Sequence, residues 1–458
     1  MIIPLSLIAL LTVGDGLPSR SPAEVRMSVD RLRAIDRVVR RGLDAGGFPG
    51  AAVVVGRDGY SVFQKGFGRL DWRPGSPAVS ADRTIYDLAS LTKVVATTTA
   101  AMLLFDEGKL ELDAPVSKYL PEFAGGDKDR VTVRHLLTHR SGLPAGRELW
   151  RLAGSAGAAR WAVIATPLVC EPGSCFIYSD LGADVLGWVL ESLAGESLDV
   201  FTQRRVFGPL GMTDTFFRPA DSLQYRIAPT EIAPPRGYPL RGQVHDENAY
   251  VLGGVAGHAG LFSTAADLSV FAQMMLNGGQ YNGVRIVSDS AVALFTRRVA
   301  GPGSWNGSSR ALGWDTADGD GSSGIYLMPR AYGHTGFTGT SMWIDPERQM
   351  FVILLTNRVH AARAKRPGKV IADVRADLSD AAAFAVTDAE FAIDEKIAYR
   401  ADKRVGWNKS LRRSRSARSS SRAKARSAKI ARAKKAAAKK KPAATSSAET
   451  IYQKRRAG

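Results

Sequence analysis

A serine and a lysine three residues apart are the side chains of this sequence best suited to chemistry. Ser90 and Lys93 belong to Ser90-Leu91-Thr92-Lys93, at what reads as the start of a helix, so both side chains share one helical face. A serine becomes a nucleophile when a neighbouring base takes its proton, and a lysine shielded from water can be that base. The apolar segment at residues 100–104 favours such shielding. The working hypothesis is a nucleophilic serine hydrolase.

The Ser-x-x-Lys pattern has low specificity by itself. Ser421 and Lys424 repeat it in a segment of entirely different composition. An ordinary helix face that carries a serine and a lysine is the alternative interpretation, so the assignment depends on the rest of the chain.

The 458-residue chain has a formal net charge of +18, and its last part supplies all of the excess. Residues 401–458 contain 20 Lys and Arg but 2 Asp and Glu, whereas residues 1–400 contain 42 of each class. The body is therefore a neutral chain, long enough to bury a large core, and the basic pI says nothing about its partners.

Residues 396–458 form a basic tail rich in Lys, Arg, Ala and Ser. We expect this tail to be disordered, because it has few apolar residues to bury and its charges repel one another. Its expected partner is a polyanion: an anionic polymer, a lipid surface or nucleic acid. A solvated tail without a specific role is the alternative.

The N-terminal residues 1–16 have the pattern of a signal peptide. The apolar run from Ile2 to Val13 is too short for a bilayer span, which takes about 20 residues, although no basic residue precedes the run. We expect export to the periplasm or the extracellular space. No later segment of the sequence has the character of a transmembrane helix.

The sequence contains two cysteines, Cys170 and Cys175, with Pro172-Gly173 between them. In an exported protein the pair can close a small disulfide ring, and Pro-Gly favours the turn that such a ring needs. Two free thiols are equally consistent with the sequence. A zinc site is not indicated, because too few Cys and His residues lie nearby.

Strand and helix patterns predict an α+β fold. Strand-like runs occur near both ends of the body, at residues 51–55, 60–66, 325–328, 332–336, 341–344 and 350–357. Helical and loop patterns prevail over residues 145–285, and a further helix is expected at 370–386. This order predicts one sheet built from both chain ends, flanked by helices and accompanied by a helical insertion, in a domain over residues 17–395. The sequence has no phosphate-binding or dinucleotide-binding glycine motif.

Five segments, in order, resemble the serine beta-lactamase and penicillin-binding-protein superfamily, in particular its class C-like branch. They are Ser90-Leu91-Thr92-Lys93, His135 to Leu143, Pro172-Gly173 followed by Tyr178-Ser179-Asp180, Pro209-Leu210-Gly211-Met212, and His334-Thr335-Gly336. That branch also holds D-alanyl-D-alanine carboxypeptidases, esterases and D-amino-acid peptidases. The resemblance covers roughly residues 30–386. It implies a central, mostly antiparallel sheet flanked by helices, with a helical subdomain.

The resemblance also implies a role for each matched position. Ser90 would be the acylated nucleophile, Lys93 its base and Tyr178 a second proton-transfer group. A tyrosine with an ordinary pKa near 10 is a poor base, so Lys93 or another cation must stabilise its phenolate if it acts that way. The backbone N–H groups of Ser90 and Phe337 would stabilise the oxyanion. The residues implied to contact substrate are Asp180, His334, Thr335, Gly336 and Phe337. No metal or other cofactor is implied.

Two positions depart from the family pattern. His334 stands where beta-lactamases usually carry lysine, and we expect it to bind a substrate carboxylate or to tune Tyr178, with a charge that changes around neutral pH. Asp180 stands where asparagine is usual. An ionised aspartate only accepts hydrogen bonds, and it would hold Lys93 protonated and weaken it as a base.

These departures favour a D-alanyl-D-alanine carboxypeptidase or an esterase, with a small-molecule or peptidoglycan-peptide substrate. A true beta-lactamase and a non-catalytic relative that binds cell-wall peptide are the alternatives. The sequence does not choose among these substrates, because the shape of the pocket decides.

A polar loop at residues 245–248 stands apart from these motifs. His245, Asp246, Glu247 and His258 can be read as metal ligands, but no pair has the helical i, i+4 spacing of a metal motif. We expect a loop that lines the cleft and is held by its own side-chain hydrogen bonds.

Overall fold

The computed structural model describes residues 16–299, 310–317, 319, 321–393 and 397–408. The predicted signal peptide, apart from residue 16, and the predicted tail beyond residue 408 lie outside the described residues. Among the helices that the structure describes, none has both the length and the apolar composition needed to cross a membrane.

The elements of the described chain follow in sequence order. The strands are β1 (Gly50–Arg57), β2 (Tyr60–Gly68), β3 (Tyr86–Asp87), β4 (Phe216–Phe217), β5 (Leu261–Ser263), β6 (Gln280–Tyr281), β7 (Val284–Arg285), β8 (Asp315–Thr316), β9 (Tyr332–Thr335), β10 (Ser341–Asp345) and β11 (Met350–Thr356). The α-helices are α1 (Val29–Asp44), α2 (Thr99–Asp106), α3 (Val133–Leu137), α4 (Leu149–Leu152), α5 (Ala156–Ile164), α6 (Asp180–Ala194), α7 (Leu198–Thr202), α8 (Glu247–Val251), α9 (Ala265–Leu276), α10 (Asp289–Thr296), α11 (Pro367–Ala385) and α12 (Arg400–Lys403). Ahead of α2, a 3₁₀ turn at Ala89–Leu91 is followed by a π-helical stretch at Lys93–Thr98.

A six-stranded antiparallel sheet forms the centre of the fold, in the order β2-β1-β11-β10-β9-β8. The N-terminal hairpin joins the C-terminal strands through β1 and β11, where Val53 lies opposite Leu354. The chain between β2 and β8 supplies most of the helices and a smaller sheet in the order β3-β5-β4. The predicted α+β fold, with one sheet built from both chain ends and a helical insertion, is confirmed.

Both faces of the large sheet are buried, which explains the nearly uninterrupted apolar sequences of β1 and β11. On β11, Val352 and Leu354 belong to a hydrophobic cluster shared with α1 and α11. Ile353 and Leu355 point the other way, into a cluster that continues through α2, α6 and α9. The second cluster therefore connects the sheet to the helical segment that carries Lys93.

The turn between β1 and β2 needs a left-handed backbone at two successive residues. Asp58 has φ +50° and Gly59 has φ +88°. These values are typical of the tight I′ turn, whose twist matches that of the flanking strands. The Arg57-Asp58-Gly59 sequence thus forms the hairpin turn that joins the two strands.

The strand predicted at residues 325–328 is wrong, because this segment is irregular. The N–H groups of Ile325 and Tyr326 donate to Asp380 Oδ1 at 2.7 and 3.2 Å. The N–H of Met328 donates to Asp345 Oδ2 at 3.1 Å. Since these carboxylates satisfy the backbone donors, the segment needs no partner strand.

Residues past the predicted domain end pack on α11. Arg400 forms ion pairs with Asp377 (3.3 Å) and Asp380 (2.8 Å). The indole N–H of Trp407, a residue that is 1% exposed, donates to Asp373 Oδ2 at 2.6 Å. The compact body therefore extends to Trp407, beyond the boundary that the change in composition suggested.

Replacing Trp407 with alanine tests this extension. We expect a loss of about 3–5 kcal/mol in the free energy of unfolding, because the change leaves a large cavity and removes the donor to Asp373 Oδ2, while the Lys369 ion pair to the other oxygen remains. Urea unfolding of the full chain measures the loss. The matched control is Val405→Ala at a position 65% exposed, which should change stability by less than about 0.5 kcal/mol. Equal stability of the two variants would place the end of the folded body before this segment.

Candidate active site

Ser90 follows a residue in a strained backbone conformation. Ala89 has φ +47°, in the left-handed region, which costs a non-glycine residue about 1 kcal/mol. The Ala89 N–H donates to Asp87 Oδ1 at 2.8 Å, and the Leu88 N–H donates to the Leu261 carbonyl in β5 at 2.9 Å. These bonds hold the sharp turn that presents Ser90, partly exposed, at the start of its helical segment.

The Lys93 ammonium is buried and fully hydrogen-bonded. Its Nζ donates to Ser90 Oγ at 3.0 Å, to Asp180 Oδ1 at 2.7 Å and to the His258 carbonyl at 3.2 Å. The three N–H donors therefore have three acceptors. Burial lowers the pKa of Lys93, but the attraction of Tyr178 and Asp180 outweighs burial and raises the pKa above its ordinary value. Lys93 is thus a cation directed at the serine.

The Tyr178 ring lies between two cations. Lys93 Nζ is 4.9 Å from the ring centroid, and the Arg310 guanidinium carbon is 5.6 Å from it. The imidazole rings of His139 and His334 pack against the same ring, at centroid distances of 4.6 and 6.0 Å. Burial lowers the pKa of both histidines, so both are neutral near pH 7. Both cations therefore lie close to the Tyr178 ring, Arg310 being itself ion-paired with Asp315, and the packed imidazole rings fix the orientation of the phenol.

Two features hold the backbone around Tyr178. A disulfide joins Cys170 to Cys175, which decides between the two alternatives left open by the sequence. The N–H groups on either side of Tyr178 donate to His139, one to its carbonyl at 2.9 Å and the other to its Nδ1 at 3.1 Å. His139 therefore both packs against the phenol and anchors its flanking backbone.

His334 on β9 lacks the charge change that the sequence suggested. The residue is 2% exposed, and its Nδ1 lies 2.8 Å from the Thr335 carbonyl, so Nδ1 carries the proton. Burial lowers the pKa of His334 to about 4, and the nearby Arg310 and Lys93 act in the same direction. The expected titration around neutral pH is therefore wrong, because the ring is enclosed beside two cations.

The loop after β9 is fastened to the turn that carries Ser90. The Thr340 hydroxyl donates to the Leu88 carbonyl at 2.9 Å. A Cβ on Gly336 would lie 2.3 Å from that same oxygen, so the close approach of the two segments requires glycine. Ser90 and Phe337 consequently line one cleft, which is the arrangement that the predicted oxyanion donors need.

The cleft has a volume of about 680 Å³. Lys93 lies beneath it, in hydrogen-bond contact with Ser90. The predicted site residues that line the cleft are Ser90, Tyr178, Asp180, His334, Thr335, Gly336 and Phe337. The structure thus brings all the predicted positions together.

Two arginines of the cleft have no carboxylate ion-pair partner among the described residues. Arg358 lies over the Phe337 ring, 4.6 Å from its centroid, and Arg375 donates to the Gly336 and Thr340 carbonyls at 2.6 and 2.8 Å. The Nε atoms of both arginines are buried without a partner. Burial lowers the pKa of Arg358, and burial together with the Arg358 charge lowers that of Arg375 to about 9. Among the described residues, this wall of the cleft therefore carries two positive charges without a direct ion pair, although the Glu231 carboxylate attracts Arg358 from a greater distance.

The polar loop at residues 245–248 also lines the cleft. Asp246 caps α8 by accepting from two N–H groups of its first turn, at 2.9 and 2.8 Å. His245 Nε2 lies 3.0 Å from Glu231 Oε1. The side chains of the loop are engaged with the protein itself, and the described part of the chain contains no group of three or more His, Cys, Asp or Glu arranged to hold a metal ion.

The Beta-lactamase family model matches residues 35–376 of this chain. The chain belongs to this family. It is therefore a serine hydrolase related to the beta-lactamases and the penicillin-binding proteins. A protein of Salmonella agona (strain SL483) named "Putative D-alanyl-D-alanine carboxypeptidase" is 36% identical over 400 residues, which cover 79% of this chain and 90% of that relative.

Solved structures of the family share the fold. A class C beta-lactamase superposes with a TM-score of 0.61 at 19% identity, over 76% of this chain and 95% of its own. The octameric penicillin-binding protein homologue from Pyrococcus abyssi superposes with a TM-score of 0.59 at 24% identity, over 71% of this chain and 73% of its own. The beta-lactamase-like fold that the motifs implied is confirmed.

The sequence did not identify His139 and the arginines as residues of the site. Arg310 and Arg358 lie outside the helices, in segments without periodicity. Arg375 is four residues from Ile371 on the cleft side of α11. For Arg375, the sequence offered one signal of a role in the site: it is a single basic residue beside the apolar stripe of the predicted helix.

The pKa of His334 has a consequence for stability at acid pH. With a pKa of about 4 in the folded protein and about 6.5 in the unfolded chain, the unfolded chain binds the proton first as pH falls. The stability from the neutral ring is complete above about pH 6.5 and is lost toward about pH 4. Between about pH 6.5 and pH 4, we expect the free energy of unfolding, measured with urea, to fall more steeply with decreasing pH in wild type than in His334→Gln. An NMR titration midpoint of the His334 ring between about 6 and 7 would contradict the burial argument.

Proposed function

We propose that this serine hydrolase is a carboxypeptidase that forms an acyl-enzyme on Ser90 and releases a C-terminal residue from a peptide of the D-alanyl-D-alanine type. The observation that carries the proposal is Ser90 Oγ at 3.0 Å from the buried Lys93 ammonium, in a cleft whose wall holds the unpaired Arg358 and Arg375. The name of the Salmonella agona relative, at 36% identity, supports the same substrate class.

Acylation begins with attack of Ser90 Oγ on the carbonyl carbon of the scissile bond. Tyr178, whose ring lies close to Lys93 and Arg310, is the base that takes the Ser90 proton. Lys93 does not act as the base, because Asp180 keeps it charged. The oxyanion that forms accepts from the Ser90 and Phe337 N–H groups, where one such donor is worth about 3 kcal/mol.

Collapse of the tetrahedral intermediate breaks the carbon–nitrogen bond. The departing amine takes the proton from Tyr178, and the acyl group stays on Ser90. Water then attacks the ester carbonyl and gives one proton to Tyr178. Tyr178 returns this proton to Ser90 Oγ as the ester bond breaks, and the shortened peptide is released. The cycle uses only groups that face the cleft.

Recognition of a free carboxylate follows from the two unpaired arginines. A buried guanidinium without a counter-ion is costly, and a carboxylate ligand relieves that cost through charge-assisted hydrogen bonds. Arg358 and Arg375 lie beside Phe337, so a ligand carboxylate bound there would end close to the oxyanion donors. That geometry favours cleavage of the last peptide bond of a chain.

Asp180 argues against efficient beta-lactam hydrolysis. Asparagine at this position would donate an N–H to a substrate carbonyl, whereas Asp180 accepts from Lys93 at 2.7 Å and offers no donor when ionised. We therefore propose peptide cleavage rather than beta-lactamase activity for this cleft.

Removal of the Ser90 hydroxyl tests the nucleophile. We expect Ser90→Ala to abolish covalent labelling by a fluorescent penicillin and by a fluorophosphonate, because no oxygen remains to be acylated. The matched control is Ser421→Ala, which alters the second Ser-x-x-Lys sequence of the chain and should leave labelling unchanged. Labelling that persists in the Ser90 variant would refute the assignment.

Neutralising Arg358 tests carboxylate recognition. For a peptide with a free C-terminal carboxylate, we expect Arg358→Gln to lower kcat/KM roughly 30-fold, equivalent to about 2 kcal/mol for a lost charge-assisted hydrogen bond. The same peptide with a C-terminal amide should be cleaved equally by both proteins. Arg33→Gln, on the exposed side of α1, serves as the control. Equal losses on both peptides would show that Arg358 supports the loop rather than the substrate.

We also propose export and a polyanion-binding tail. The apolar run at residues 1–16 supports export, and the Cys170–Cys175 disulfide suits an oxidising compartment. The charge of residues 409–458 supports binding to an anionic polymer. A chain ending at Asn408 should lose the salt-sensitive binding to such a polymer that the full chain has, while keeping its hydrolase activity. Binding retained by the shorter chain would place the interaction in the body.

A further inference from the structure

His258 lies beside Lys93 and is held between two carboxylates. Its Nδ1 is 2.6 Å from Asp184 Oδ1, its Nε2 is 2.9 Å from Asp246 Oδ1, and the residue is 2% exposed. Two ring nitrogens that each face an ionised carboxylate both donate, so these contacts fit an imidazolium. Burial lowers the pKa of His258, but the charges of Asp184 and Asp246 outweigh burial and raise the pKa well above its ordinary value.

The same segment holds Lys93 through its backbone. The His258 carbonyl accepts from Lys93 Nζ at 3.2 Å, and the Gly257 carbonyl accepts from the Thr97 hydroxyl at 2.7 Å. A Cβ on Gly257 would lie 2.0 Å from the Ala183 carbonyl. The segment is therefore wedged between α6 and the helical stretch that carries Lys93.

We infer that His258 is a positioning residue. Its imidazolium, clamped by Asp184 and Asp246, fixes the carbonyl that orients Lys93 and adds a second buried positive charge beneath the cleft. The inference rests on the proposed function, in which Lys93 is the cation of the acylation step. A purely stabilising role explains the cluster poorly, since apolar residues of similar volume are often as stabilising as buried ion pairs.

The charged surroundings of this cluster determine how it should respond to pH. The titratable groups around His258, Lys93 and Tyr178 are Asp184 and Asp180 of α6, Asp246 at the N-cap of α8, Arg310 with its ion-pair partner Asp315, and the neutral His139 and His334. Loss of the His258 cation makes this environment more negative, and neutralising Asp246 makes it more positive. The base that accepts the Ser90 proton should therefore respond to the two changes in opposite directions.

The test compares the pH profile of acylation by a fluorescent penicillin in the full-length wild type, His258→Gln, Asp246→Asn and the double variant. Its readout is the acid limb, the pH below which acylation slows because the base is protonated. We expect His258→Gln to move the acid limb to higher pH by about 1 unit, and Asp246→Asn to move it to lower pH by a similar amount. The double variant should return close to wild type, because the two charge changes cancel.

The outcomes separate a positioning role from a merely structural one. Shifts in the same direction, or no shift in folded variants, would overturn the inference. If His258→Gln does not fold, the Asp246→Asn variant alone tests the inference, because asparagine preserves the cap of α8. In that case only a shift of the acid limb to lower pH supports the inference. Labelling that survives Ser90→Ala would refute the proposed function instead, so the two failures are distinguishable.

Discussion

The ion pair between the buried Lys93 and the partly exposed Asp180 sets the conditions for the rest of the site. Taking an ammonium out of water costs several kcal/mol. Here the cost is offset because all three N–H groups find acceptors, on Asp180, Ser90 and His258. An amine stabilised in this way keeps its proton. In the mechanism that we propose, the serine proton therefore moves to Tyr178, whose ring lies beside two cations and two imidazoles.

The proximity of Ser90 and Lys93 could be predicted from the sequence because the two residues belong to one short segment. Ser90 and Lys93 are three residues apart, so helical geometry alone brings them together. Tyr178 and His334 could be assigned only through the order of the matched segments, since nothing local distinguishes them from core aromatics. The strands of the sheet were readable because apolar runs bounded by turn residues leave few alternatives.

The features that escaped prediction depend on contacts between distant parts of the chain. Ile325 has a strand-like sequence, but the Asp380 carboxylate occupies its backbone N–H. His334 has an ordinary sequence context, and its burial beside Arg310 sets its charge. Arg358 follows β11 without a sequence pattern of its own, and only the folded structure shows that it lies over Phe337 and has no ion pair with a carboxylate of the described residues. Periodicity carries no information about such encounters.

The pairing of β1 with β11 has a consequence for how the chain reaches its folded state. Val53 cannot meet Leu354 until nearly the whole body has been synthesised. Until then the N-terminal hairpin keeps an unpaired edge, and closure of so long a loop makes folding slow. For a protein that we propose to be exported, late formation of the central sheet is an advantage. The chain remains unfolded during synthesis and can therefore pass through a membrane pore.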